Sequence, residues 1–149
     1  MPSVKSLEDQ QYYAHPRNAF WPIMSAIFDM QAQWDYDKRC KHIIKNHIAV
    51  WDSIHSCQRQ GSLDQHITTA SIIANDFNQF FSLHPHIKAI LFNGTKAEQV
   101  FKRYVLPTLD GEKCSIPRYR LPSTSPAHAA MTFEQKRSEW QQALQLVKS

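Results

Sequence analysis

Apolar residues recur at helical spacing through Phe20, Ile23, Met24, Ile27 and Phe28, which predicts an amphipathic helix from Asn18 to about Met30. Asn18 stands where a helix N-cap belongs, and Pro22 falls in the first turn, where a missing N–H costs least. After a polar stretch, Cys40 to Lys45 predicts a short helix. His47 to Asp52 reads as a strand that ends in the turn-rich segment CQRQGSLDQ.

Asp76 to Leu83 predicts a further helix, stopped by Pro85. Ile87 to Phe92 is the clearest buried strand in the chain, and Asn93-Gly94 closes it. Thr95 and Glu98 have capping-box spacing, and Ala97, Phe101 and Tyr104 carry the helical period onward. Ile116 to Leu121 is a third strand candidate, although Pro117 cannot donate to a ladder. A second capping-box pattern, Thr132 to Gln135, opens a helix with Trp140, Ala143, Leu144 and Val147 on one face. Strands alternating with helices argue for a parallel sheet covered on both faces, with ligands bound beyond the carboxyl ends of its strands. Polar clusters occupy those ends: Asp52-Ser53, Asn93-Gly94 and Ser123-Thr124-Ser125.

Composition narrows the class without naming an activity. A chain of 149 residues, 42% hydrophobic and with three glycines, fits one globular domain. A net charge of +4 suits a nucleic-acid partner but is shared by many proteins without one. The three cysteines are scattered, no signal-peptide pattern opens the chain, and no apolar run approaches the ~20 residues of a bilayer span. These features predict a reduced, cytoplasmic protein without disulfides.

The candidate chemistry is concentrated in amides and aromatic rings. The segment YYAHPRNAFW, residues 12–21, crowds rings, an imidazole and an amide around Pro16, as a pocket for a flat, hydrogen-bonding ligand would require. Asn93 can offer an acceptor and a donor to a base edge, or serve only as a turn residue after a strand. Asn18 is likewise divided between chemistry and helix capping. The run Ser123 to His128 holds hydroxyls and an imidazole; without a G-x-S-x-G elbow it reads better as a phosphate-gripping loop than as a hydrolase nucleophile. Cys40, His42, His47, His55 and Cys57 match no metal-ligand spacing, so no metal is expected. The chain also lacks a glycine-rich phosphate loop.

Several segments together resemble the uracil-DNA glycosylase superfamily, specifically its hypoxanthine-DNA (deoxyinosine) glycosylase branch. They are Pro2 to Leu7, Gln11 to Pro22, Trp51-Asp52, Ser56-Cys57, Gly61 to Asp64, Phe92 to Lys96 and Leu121 to His128, in the family's order. The resemblance implies an α/β fold, a three-layer α/β/α sandwich with a mainly parallel central sheet in a single domain over residues 1–149. It implies a monomer that flips a deaminated base, chiefly hypoxanthine and secondarily uracil, from double-stranded DNA and hydrolyses its N-glycosidic bond with water and no cofactor. Asn18 is then the catalytic residue. Asn93, Tyr13, Phe20 and Trp21 bind the base, and Ser123, Thr124, Ser125, Pro126, Ala127 and His128 form the loop that presses on the DNA backbone and intercalates. The family carries a hydrophobic strand ahead of the VKSL block, so the resemblance implies that this first strand is missing here. A second departure is His47, where a glycine is usual. The alternative is a non-catalytic DNA-binding remnant of the same fold.

Overall fold

A computed structural model describes residues 2–59, 62 and 67–148. Helix α1 spans Val4–Asp9 and is capped by the Ser3 hydroxyl, which accepts from the Ser6 N–H. Helix α2 spans Phe20–Phe28, and α3 spans Tyr36–Lys45 behind an Asp35 cap. An antiparallel pair follows, β1 (Ile54–Arg59) with β2 (Ile67–Ala74). Helix α4 (Phe77–Leu83) is capped by Asp76, whose carboxylate accepts from the Gln79 N–H. Strand β3 (Ile90–Asn93) leads into α5 (Thr95–Val100), which continues as a wider π-turn over Phe101–Val105 and two 3₁₀ turns ending at Ser115. Strand β4 (Arg118–Leu121) returns parallel to β3, and α6 (Phe133–Lys148) closes the described chain.

The β3–helix–β4 unit is the part that the hydrophobic pattern foresaw. Asn93 stands opposite Leu121 at its carboxyl end. Leu91 and Leu121 pack toward Phe20, Met24 and Trp140 of α2 and α6, whereas Phe92 packs toward Phe77, Phe81 and Phe101. The pair is therefore covered on both faces, and its carboxyl end opens toward the start of α2. The chain is mixed α/β, but its described strands form two separate pairs, one parallel and one antiparallel, rather than one continuous sheet.

Some boundaries differ from the sequence reading for local reasons. His47 to Asp52 is not a strand; β1 begins at Ile54. His47 sits at φ 65, its N–H bonds to Ile44 O, and the Ile48 N–H bonds to Ile43 O. That pair of bonds is a left-handed helix stop, so these residues end α3 instead of entering a ladder. The expected turn segment after Ser56 begins as strand: Cys57, Gln58 and Arg59 belong to β1 and Ser62 is in a bend, while Gln60, Gly61 and residues 63–66 lie outside the described residues. The box at Thr95 is not formed. Gly94 precedes the helix, and Glu98 turns to Lys102 and Arg120. The box at Thr132 is formed in both directions, Thr132 N–H to Gln135 Oε1 at 2.8 Å and Gln135 N–H to Thr132 Oγ1 at 3.2 Å.

Candidate functional site

The segment 12–21 is held by its backbone, not merely filled with rings. Tyr12 N–H donates to the Tyr36 hydroxyl at 3.1 Å, and Tyr12 O accepts from Trp21 Nε1 at 2.9 Å. Ala14 N–H donates to the Ser6 hydroxyl at 2.9 Å, which gives α1 and its buried Ser6 a purpose the sequence did not reveal. Between these anchors Tyr13 adopts φ 58, a left-handed conformation that a bulky residue keeps only when its surroundings impose it.

That conformation aims Tyr13 at the end of β3. Its ring stacks on Phe20 with centroids 4.0 Å apart, and its hydroxyl hydrogen-bonds the Asn93 side chain. Burial, opposed by that hydrogen bond and reinforced by the Asp52 carboxylate, pushes the phenol up to about 12. Tyr13 is therefore a neutral hydroxyl at physiological pH.

Asn93 is the hub. Its Oδ1 accepts from the Thr124 N–H at 2.9 Å and its Nδ2 donates to Thr124 Oγ1 at 2.9 Å. Thr124, 1% exposed, passes the connection on, because its carbonyl accepts the Ala19 N–H at 2.9 Å. One buried threonine thus ties the strand end, the loop after β4 and the start of α2. Gly94 permits the approach: it has φ 93, and a Cβ there would lie 3.0 Å from Ser123 Cβ.

Asn18 lies beside this junction. Its Oδ1 accepts the Phe20 N–H at 2.9 Å and it is partly exposed, but the N-cap of α2 is Ala19, without a side-chain cap, so Asn18 braces the turn before the helix and is not the N-cap the sequence predicts. That bond engages the oxygen; among the described residues no acceptor takes Nδ2.

The remaining predicted residues divide by exposure. Phe20 and Trp21 lie inside the core, Phe20 edge-on to Trp21 and Trp140, and Trp21 beneath the Arg39 guanidinium. Neither presents an open face to a ligand, because the start of α2 turns both inward. Thr124 also points inward. Ser123 Oγ accepts the Ser125 N–H at 3.2 Å, Ser125 Oγ accepts the Ala127 N–H at 3.2 Å, and Pro126 and Ala127 are left exposed at the tip. His128 is half-buried.

The histidines and cysteines once weighed as metal ligands are dispersed. His42 Nε2 lies 2.9 Å from Phe28 O and His55 Nδ1 lies 3.3 Å from Asn75 Oδ1. Among the described residues no three His, Cys, Asp or Glu side chains gather at one point, and the side chain of Cys57 lies outside them. No described helix is long and apolar enough to cross a membrane.

No protein-family model matches the chain. A hypoxanthine DNA glycosylase of Methanosarcina acetivorans is 33% identical over 142 residues, covering 95% of this chain and 84% of that protein. A hypoxanthine DNA glycosylase of Methanosarcina barkeri is 33% identical over 99 residues, covering 65% of this chain and 61% of that protein. Identity of 33% sustained over 95% of this chain and 84% of the relative shows that this chain belongs to the hypoxanthine DNA glycosylase family.

Proposed function

We propose that this chain is a monofunctional DNA glycosylase that hydrolyses the N-glycosidic bond of deaminated bases in double-stranded DNA, hypoxanthine first and uracil second. The observation that carries the reading is the junction at the carboxyl end of β3, where Thr124 ties Asn93 to Ala19, the neighbour of Asn18, in a chain whose relatives are named hypoxanthine DNA glycosylase. A flipped purine needs a ring to lie on and an amide to read its edge. Tyr13, whose hydroxyl faces Asn93, takes the stacking role instead of the core residues Phe20 and Trp21. Asn93 Oδ1 uses one lone pair on Thr124 and has a second for the N1–H of hypoxanthine.

The leaving base carries off the bonding electrons, and the sugar acquires oxocarbenium character. The protein must then hold a water and steady charge rather than supply a nucleophile. Asn18 does this through Nδ2 while its oxygen stays fixed on Phe20 N–H. The exposed turn at Pro126 and Ala127 enters the gap left by the base, and Ser123, Ser125 and His128 face the backbone. The enzyme acts as a cytoplasmic monomer without metal or cofactor.

The test is alkali-dependent cleavage of a labelled duplex holding one deoxyinosine. The protein should cleave at the lesion. Asn18→Ala should lose base release by about 10²-fold or more, the scale of a lost charge-stabilising donor, while retaining duplex binding. Asn18→Asp, which keeps an acceptor for the Phe20 N–H, should match the native fold stability and still lose activity. Wild-type binding without base release would establish the non-catalytic DNA-binding alternative; full activity in Asn18→Ala would remove the assigned mechanism.

A further inference from the structure

Lys136, in the first turn of α6, is only 5% exposed. Its Nζ lies 3.4 Å from Ser125 O, beyond the ~2.7–3.2 Å of an ordinary N–H···O bond. Among the described residues no carboxylate pairs with it; the nearby Glu134 is held by Arg137. Desolvation pushes its pKa below the usual lysine value. A buried ammonium without a counter-ion is costly, and three N–H donors share one long acceptor. The same carbonyl accepts the His128 N–H at 3.0 Å, and among the described residues the buried His128 Nε2 has no hydrogen-bond partner. Two nitrogen groups with unused capacity therefore lie beneath one turn, whose tip at Pro126 and Ala127 is exposed.

We infer that Lys136 is a positioning residue that holds a DNA phosphodiester against the Ser125–His128 turn. The inference rests on the proposed glycosylase reading, which places this loop on DNA. A phosphate oxygen supplies the anion that Ser125 O, a neutral and distant acceptor, does not. It would also give His128 Nε2 a hydrogen-bond partner. The lysine contacts the backbone, not the base, so it acts equally on damaged and undamaged duplex.

The experiment compares the wild-type chain with Lys136→Gln, which keeps a donor for Ser125 O but no charge, and with Lys136→Arg. Binding to a short duplex, with and without one deoxyinosine, is titrated between about 50 and 200 mM salt. Base release is measured in the same samples. Loss of one phosphate contact should make the slope of log K against log[salt] shallower by about 0.9 in Lys136→Gln, on both duplexes, with Lys136→Arg retaining the wild-type slope. A wild-type slope in Lys136→Gln overturns the inference, even if its activity or melting temperature falls, since that outcome marks a purely structural lysine. Failure of Lys136→Gln to fold while Lys136→Arg folds also overturns it, because the charge would then serve the loop alone. A changed slope in a chain whose wild type releases no base would leave the phosphate contact standing and defeat the glycosylase reading instead.

Discussion

Replacing Thr124 by valine keeps the shape of a side chain that is 1% exposed and removes only its hydroxyl. The lost bond is the 2.9 Å contact from Asn93 Nδ2; the Thr124 N–H to Asn93 Oδ1 and the Thr124 O to Ala19 N–H bonds are main-chain at one end and persist. Removing one partner of a buried hydrogen bond leaves the other unsatisfied and costs about 1–3 kcal/mol. For a chain of 149 residues, each 1 kcal/mol lowers the melting temperature by about 3 °C, so the expected fall is about 3–9 °C. Thermal unfolding followed by circular dichroism measures it. A double-mutant cycle with Asn93→Ala separates the hydroxyl–amide bond from packing, and its coupling energy should be about 1 kcal/mol. Additivity to within about 0.5 kcal/mol, or an unchanged melting temperature in Thr124→Val, would show that the Thr124 hydroxyl does not hold the Asn93 amide.

His47 is exposed at φ 65, where a glycine carries no steric cost, so His47→Gly should raise stability by roughly 1 kcal/mol in urea unfolding at constant m. A lower midpoint would count against the helix-stop assignment. Tyr13 ionises near 10 when unfolded and at about 12 when folded. The folded state keeps the proton that the unfolded chain gives up, so the stabilisation is full below pH 10 and is lost as pH rises to about 12. This window is worth roughly 2–3 kcal/mol. Tyr13→Phe should flatten it, and a variant with the wild-type slope between those pH values would show that the phenol is not buried against Asn93.

Helices α2, α4, α5 and α6, the second half of α3 and the β3–β4 unit were legible because their information is local, whereas α1 and the first turn of α3 were not foreseen. Asp76 caps α4, Thr132 and Gln135 cap α6, and the apolar run to Phe92 ends where Asn93 and Gly94 turn the chain. What was not legible depends on distant partners. Ser6 shows no functional signature in sequence, yet its hydroxyl positions Ala14. Thr124 looked like one more loop hydroxyl, and only the fold turns it inward onto Asn93 and Ala19. Phe20 and Trp21 share a motif with Tyr13, but helical phase buries the first two and a left-handed residue aims the third at the site. The β1–β2 pair escaped detection because β1 lies within a polar segment, where pairing rather than periodicity makes the strand.

The indole of Trp140 donates through Nε1 to Pro122 O at 2.9 Å, at the root of the loop that Thr124 pins. This makes the protein its own optical probe. Emission from that enclosed indole should shift to the red when the loop leaves α6 and water replaces the carbonyl. Trp51, 39% exposed on the opposite aromatic cluster, is open to a collisional quencher such as iodide, whereas Trp140 is shielded. With Trp51 quenched, Trp21 and Trp34 still emit, so the part of the signal lost in Trp140→Phe is the loop's own, and it requires no attached dye.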